Sequence, residues 1–134
     1  MNKSVIWVFV LAIGCGPLVA QADAVAQLES DYLTAGAKAF SAAGGEAFWN
    51  KKFTDPKGGM TRSCGTCHGE NLTQAGKHTR TKKLIKPMAP SANSARLTKV
   101  KKIEKWFKRN CKWTVGRECT VQEKGDMLAF LKGK

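Results

Sequence analysis

Most of what a large enzyme or a membrane protein would need is scarce in this chain. It has 134 residues, one tyrosine, and only ten acidic residues against 23 basic ones. Its longest apolar run, over residues 5–13, is much shorter than the ~20 residues of a membrane-spanning helix. No long segment alternates apolar and polar residues as a half-buried strand does, and no segment repeats. A multidomain enzyme is therefore excluded, and a single domain without sustained strands is expected.

The first 22 residues have the organisation of a secretory signal peptide. A lysine precedes the apolar run, and small residues follow it at the spacing of a cleavage site. We expect cleavage after Ala22 or Ala24, which leaves residues 23–134, or nearly all of them, as one domain. Export to the periplasm, without stable membrane insertion, is the expected outcome. Cys15 is lost with the leader, so the odd count of five cysteines becomes an even four.

Apolar spacing predicts helices on both sides of a loop-rich centre. Residues 25–53 have helical periodicity, which Gly44 and Gly45 are expected to interrupt. Thr98 is placed to N-cap a second helix over residues 99–109, whose apolar residues form one stripe.

The end of the chain predicts one more helix. Thr120 and Glu123 have the spacing of a capping box, and the helix that they open extends to about Lys132. Its apolar residues are available for burial against the first helical region. The predicted fold class is therefore all-α, with long irregular loops.

The strongest chemical signal is the motif Cys64-Gly-Thr-Cys67-His68. C-x-x-C-H is the attachment signature of c-type haem, in which two thiols form thioethers with the vinyl groups and the adjacent histidine binds the iron. A redox dithiol is the first alternative, but the βαβ pattern of thioredoxin-like proteins is missing. A zinc site is the second, but no other ligand pair has suitable spacing. One motif predicts one covalently bound haem c.

Cys111 and Cys119 are left after the motif is assigned. In an exported protein the two thiols are expected to pair as a disulfide. Such a bond would join the end of the lysine-rich helix to the start of the last helix. The alternative is a redox switch, which the same pair can also support.

The residue on the other side of the iron decides the function, since a Met ligand suits an electron carrier and a displaceable ligand admits small molecules. The spacing alone favours Met88, which lies in a loop between two prolines. Met127 is expected in the core, while Met60 and His78 are weaker candidates. Asn110 continues the apolar stripe of its helix, although capping of the helix C-terminus would also explain it.

Several segments resemble a known family. The haem motif, the pair Gly44 and Phe48, and the C-terminal apolar residues look like a class I cytochrome c. More narrowly, the chain is similar to the sphaeroides haem protein (SHP) family of oxygen-binding cytochromes c. The matching segments include 63–69, 87–92, 109–111 and 116–120, of which the last two are specific and the haem motif alone is not.

The resemblance implies a class I cytochrome c fold around one haem. It also implies His68 as the proximal iron ligand, Asn110 as the distal ligand and a disulfide between Cys111 and Cys119. The family usually has an aliphatic residue where this chain has Met88, which implies that Met88 lines the pocket. A dihaem cytochrome c is the electron donor that the family suggests.

An amide ligand gives this arrangement a physical basis. An amide oxygen is a hard donor that suits ferric iron better than ferrous iron. Reduction should therefore release Asn110 and open the site to O₂, NO or CO. Its NH₂ group could then donate a hydrogen bond to the bound gas. The alternatives are a conventional His/Met electron shuttle and a component that reduces O₂ or NO.

The net charge of +13 suggests an anionic partner. An acidic redox protein fits an exported cytochrome, whereas nucleic acid does not. A solvated surface is the alternative explanation. Arg80 and Lys86 are candidates to pair with a haem propionate. The lysines after the haem motif form two clusters: Lys82, Lys83 and Lys86, then Lys99, Lys101, Lys102, Lys105 and Lys108.

Overall fold

The computed structural model describes residues 17–54 and 59–134, so most of the predicted signal peptide lies outside it. Helices dominate the described residues, which confirms the all-α prediction. Four two-residue strands pair as two small antiparallel ladders. The elements are α1 (Pro17–Thr34), α2 (Ala42–Asn50), β1 (Phe53–Thr54), β2 (Thr61–Arg62), α3 (Gly65–His68), β3 (Gly76–Lys77), β4 (Leu84–Ile85), α4 (Val100–Thr114) and α5 (Val121–Leu131).

The first helical region is divided at a different place from the one predicted. The break falls at residues 35–41, and both Gly44 and Gly45 lie inside α2. Gly45 is required by packing, because a Cβ there would lie 2.1 Å from the backbone oxygen of Asp126 in α5. The prediction that the two glycines interrupt the helix was wrong: both lie within α2, and Gly45 lets the backbones of α2 and α5 approach closely.

Residues 35–41 run alongside α5 and are held by its side chains. The Lys38 N–H donates to Gln122 Oε1 at 2.7 Å, and the Ser41 N–H donates to Asp126 Oδ1 at 2.8 Å. The Ser41 hydroxyl in turn accepts from the Gly44 N–H at 3.1 Å, which caps α2. The break between α1 and α2 is thus an ordered connection.

Helix α4 begins and ends later than predicted. Its N-cap is Lys99, and Thr98 instead donates its hydroxyl to the Ala95 carbonyl. At the other end the helix continues through Thr114, four residues beyond Asn110. The prediction of a helix over residues 99–109 with Thr98 as the cap was therefore wrong at both ends.

The capping box of α5 is confirmed. Thr120 accepts from the Glu123 N–H at 3.2 Å, and Glu123 accepts from the Thr120 N–H at 2.8 Å. Arg117 adds two hydrogen bonds to the same carboxylate, at 2.6 and 2.7 Å. These contacts fix the start of the helix against which α1 and α2 pack.

The core lies where α1, α2 and α5 meet, and it extends into the segment after the haem motif. Within the described residues, no helix is long and apolar enough to span a membrane. Leu128 is completely buried, and Met127 is 4% exposed, as expected for a core residue. The other buried members are Ala24, Val25, Leu28, Tyr32, Trp49, Leu72, Ala89, Leu97, Ile103, Phe130 and Leu131.

Candidate haem-binding site

The C-x-x-C-H motif forms the single turn of α3. Cys64 is its N-cap residue, and Gly69, with φ of +78°, ends the turn after His68. The Ser63 N–H donates to Thr66 Oγ1 at 2.8 Å, which ties the residue before the motif to its centre. One helical turn therefore carries both thiols and the imidazole.

The two thiols are free. Cys67 is buried and lies 3.8 Å from the Thr79 hydroxyl, measured from Sγ to Oγ1, whereas Cys64 is partly buried. Burial raises the pKa of the Cys64 thiol to about 11. The chain thus presents a protonated thiol at neutral pH, three residues before a second one.

His68 is packed against an aromatic residue of α2. Its ring centroid lies 5.5 Å from that of Trp49, and Trp49 in turn lies 6.0 Å from Phe130 of α5. Burial, with the nearby Arg96 charge, lowers the pKa of His68 to about 4. The imidazole is therefore neutral at pH 7, which is the form that binds a metal.

A glycine that the sequence reasoning did not single out lies directly against the motif. A Cβ at Gly76 would lie 2.2 Å from the Cys67 carbonyl oxygen and 2.7 Å from the Cα of His68. Strand β3 can therefore pass the motif only because residue 76 has no side chain. No sequence pattern distinguishes Gly76 from the other glycines in the loop-rich centre of the chain.

The segment that contains Met88 is fixed to the stretch just after the motif. Both the Met88 and the Ala89 N–H groups donate to the Leu72 carbonyl at 2.9 Å. Met88 is half-buried and packs against the core. Arg96, which the sequence reasoning also missed, donates to the carbonyls of Lys86 and Pro87 in the same segment.

Asn110 lies inside α4. Ile103 is buried and Phe107 packs partly against the core, while Asn110, at the next position on that stripe, is exposed. Within the described part of the chain, its side chain has no hydrogen-bond partner. Since α4 continues to Thr114, capping of the helix end does not explain an asparagine at this position.

The residue after Asn110 is covalently fixed. Cys111 and Cys119 form a disulfide, and both are buried. The bond joins the last turn of α4 to the residue before the N-cap of α5. The disulfide therefore fixes the part of α4 that carries Asn110 next to the start of α5.

The remaining candidates for the iron ligand are Met60, Met127 and His78, and each lies in a different environment. Met60 is 60% exposed, and Met127 is in the core. His78 accepts a hydrogen bond at Nδ1 from the Thr81 N–H, and its ring lies 5.8 Å from that of Trp113. His78 and Met127 are therefore engaged in contacts with other parts of the chain.

These residues fit a covalently attached haem. Two free thiols and a neutral imidazole share one turn, and His68 Nδ1 is buried without a hydrogen-bond partner among the described residues. Buried polar atoms normally have partners, so an orphaned ring nitrogen fits a histidine that binds a group outside the polypeptide. Trp49 packs against His68 and Cys64 packs against the hydrophobic core, so the turn borders apolar surface of the kind that a porphyrin requires.

A family model and curated relatives match the chain. The model described as a domain of unknown function (DUF1924) matches residues 35–131. The cytochrome c-type protein SHP of Cereibacter sphaeroides is 43% identical over 120 residues, which are 90% of this chain and 92% of that protein. Cytochrome c'' of Methylophilus methylotrophus is 37% identical over 87 residues, 65% and 60% of the two chains.

Solved structures agree with these relatives. Oxidised SHP, an oxygen-binding cytochrome c, matches with a TM-score of 0.73 and 42% identity over 82% of this chain and 96% of that chain. The crystal structure of oxidised cytochrome c'' matches with a TM-score of 0.75 and 30% identity, over 87% and 96% of the two chains. The cytochrome c fold is thereby confirmed. This chain belongs to the SHP family of c-type cytochromes, which carry one covalently bound haem.

Proposed function

We propose that this chain is an exported His/Asn cytochrome that accepts electrons and binds a diatomic gas when reduction releases Asn110. Cys64 and Cys67 form the thioethers, and His68 is the proximal ligand. The haem supplies a one-electron redox centre and an iron site for O₂, NO or CO. The relatives support this class, since SHP is an oxygen-binding cytochrome c. Haem-ligand detachment has been studied structurally in cytochrome c''.

The observation that carries the proposal is the position of Asn110 within α4. Asparagine is a poor residue for a helix interior, and this one is exposed on the stripe that begins with buried Ile103. An asparagine that disfavours the helix and has no side-chain hydrogen bond among the described residues is explained if its amide binds the haem iron. The disulfide at Cys111 fixes the backbone next to it.

The redox dependence follows from the chemistry of the amide. The oxygen is a neutral, hard donor that binds ferric iron better than the softer ferrous ion. Asn110 has no side-chain partner among the described residues that would hold it in one rotamer. Its side chain can therefore move without breaking a protein hydrogen bond.

Optical spectra and CO uptake of three proteins test the proposal. The wild type should lack the Met–iron charge-transfer band in the ferric form and should bind CO rapidly when reduced. Asn110→Ala should change the ferric spectrum, whereas Met88→Leu should leave it unchanged. A Met–iron band that disappears in Met88→Leu, with Asn110→Ala unaffected, would establish the His/Met electron shuttle instead.

The core favours one of the two cleavage bonds. Ala24 is 5% exposed and belongs to the core, and α1 continues through both bonds. Cleavage after Ala22 retains Ala24, so it is the bond that we favour. The mass of the mature exported protein distinguishes the two, and cleavage after Ala24 would contradict this choice.

The exposed lysines support docking of an acidic electron donor such as a dihaem cytochrome c. All eight lysines of the two clusters are exposed, and five of them extend along α4 or lie at its N-cap. Opposite charges accelerate encounter, and salt screens them. The rate of reduction should therefore fall with ionic strength, and Lys101→Gln with Lys105→Gln should weaken that dependence. A rate of reduction that does not change with ionic strength would contradict the docking role.

A further inference from the structure

The guanidinium of Arg96 is held in one orientation by backbone carbonyls. Nε donates to the Pro87 oxygen at 2.8 Å and Nη2 donates to the Lys86 oxygen at 2.5 Å. Asn93 Nδ2 also donates to the Pro87 oxygen, at 3.1 Å. Arg96 is half-buried, so its charge is partly removed from water.

The carbonyls that hold Arg96 belong to a rigid part of the site. The Leu72 carbonyl accepts from two consecutive N–H groups of that segment, and Ala89 is completely buried. Leu97, the next residue after Arg96, has φ of +56° and a buried side chain. A leucine in the left-handed region is strained, and such strain is typical of positions that a functional site requires.

The charge of Arg96 has no carboxylate partner among residues 17–54 and 59–134. Its two hydrogen bonds to the carbonyls use two of the five guanidinium N–H groups, which leaves three donors. A partly buried cation without a counterion is costly, and arginine is the residue best suited to bind a carboxylate.

We propose that Arg96 binds a propionate of the haem and that its fixed charge raises the reduction potential. The exposed side chains of Arg80 and Lys86, which the sequence offered for this role, have no comparable support. A held positive charge near the iron disfavours the ferric state, which carries the greater positive charge. The inference requires a haem attached at the motif, but it does not depend on Asn110 as a ligand.

Redox titration of the holoproteins tests the effect on the potential. Arg96→Gln should shift the reduction equilibrium constant about tenfold towards the ferric form, equal to about 59 mV for a one-electron couple. Arg96→Lys keeps the charge and should recover most of the shift. Arg80→Gln, the matched exposed control, should change the potential little. Equal potentials in the wild type and Arg96→Gln would overturn the inference.

Two further measurements separate the possible failures. The crystal structure of the wild-type holoprotein should place a propionate oxygen within hydrogen-bond distance of the Arg96 guanidinium. If neither propionate contacts Arg96, and both are bound to other residues such as Arg80 or Lys86 or are exposed to solvent, the inference is overturned without requiring any variant to fold. Haem content, measured as the pyridine haemochrome, tests attachment itself. Wild-type protein without covalent haem would refute the proposed function, whereas normal content with an unchanged potential refutes only the role of Arg96.

Discussion

The indole of Trp49 lies 5.5 Å from the imidazole of His68, with their planes inclined at 47°. Trp49 is 5% exposed and comes from α2, so the core of the helix bundle directly supports the candidate iron ligand. Stability of the bundle and orientation of His68 are therefore coupled through one side chain.

Trp49→Ala should lower the free energy of unfolding of the holoprotein by about 3–5 kcal/mol, because it leaves a cavity in the core. It should also broaden the ferric optical spectrum, since His68 loses a packing surface. Trp49→Phe retains an aromatic ring and should recover part of both. Chemical denaturation and absorption spectra check these outcomes. A normal spectrum in Trp49→Ala would show that His68 is oriented by other contacts.

Gly45→Ala should prevent normal assembly of the bundle. The new Cβ would lie 2.1 Å from the Asp126 backbone oxygen and 2.7 Å from the Cβ of Phe130, and neither can move without shifting α5. Gly44→Ala is the matched control. Its Cβ would meet the Asp126 carboxylate at 3.2 Å and the Ser41 Cβ at 3.5 Å, both side-chain atoms, and its cost should stay within about 1 kcal/mol. Thermal denaturation of both variants tests the difference, and equal melting temperatures would contradict the crossing of α2 and α5.

Replacing both Cys111 and Cys119 by serine should destabilise the protein by about 2.5 kcal/mol, from the chain entropy of a loop with a sequence separation of 8. The expected result is a lower denaturation midpoint in urea. Reduction of the wild-type disulfide should give the same loss. If the reduced wild type and the double variant both keep the original midpoint, the disulfide does not stabilise the fold.

Tyr32 of α1 donates its hydroxyl to Glu104 of α4, and Lys124 of α5 binds the other carboxylate oxygen at 2.8 Å. Burial and the Glu104 carboxylate raise the pKa of Tyr32. Because the chain has one tyrosine, its ultraviolet absorbance reports this phenol alone. The phenol should ionise only as the protein unfolds at alkaline pH. Ionisation near its ordinary pKa in the folded protein would contradict this network.

Stability should fall in acid because Glu123 is bound in the folded state. Hydrogen bonds from Arg117, with further help from Thr120, lower the pKa of Glu123 below its ordinary 4.5. The contribution is therefore complete above the unfolded-state pKa and is lost as the pH falls through the lower folded-state value. Denaturation between about pH 6 and about pH 3 should show a shallower acid slope for Glu123→Gln than for the wild type. Parallel slopes would assign the acid sensitivity to other groups.

Sequence patterns anticipated the local features well. The motif at Cys64, Cys67 and His68 depends on residues within one turn, and the capping box of Thr120 and Glu123 depends on a four-residue spacing. Both are short-range relations, so the order of residues is enough to identify them.

The tertiary structure decided what depends on distant contacts. In the sequence Gly45 resembles a helix breaker, and only the structure shows that it allows α5 to pack against α2. The importance of Gly76 is likewise visible only where β3 passes Cys67. Asn110 lies on the stripe of α4 but is exposed, and only the extension of the helix to Thr114 removed capping as its explanation. Arg96 meets its carbonyl acceptors nine and ten residues earlier in the chain.

The sequence alone therefore determines the haem chemistry and the helical class, because both depend on neighbouring residues. Only the folded chain decides which side chains surround the haem, because packing brings together residues that no sequence period relates.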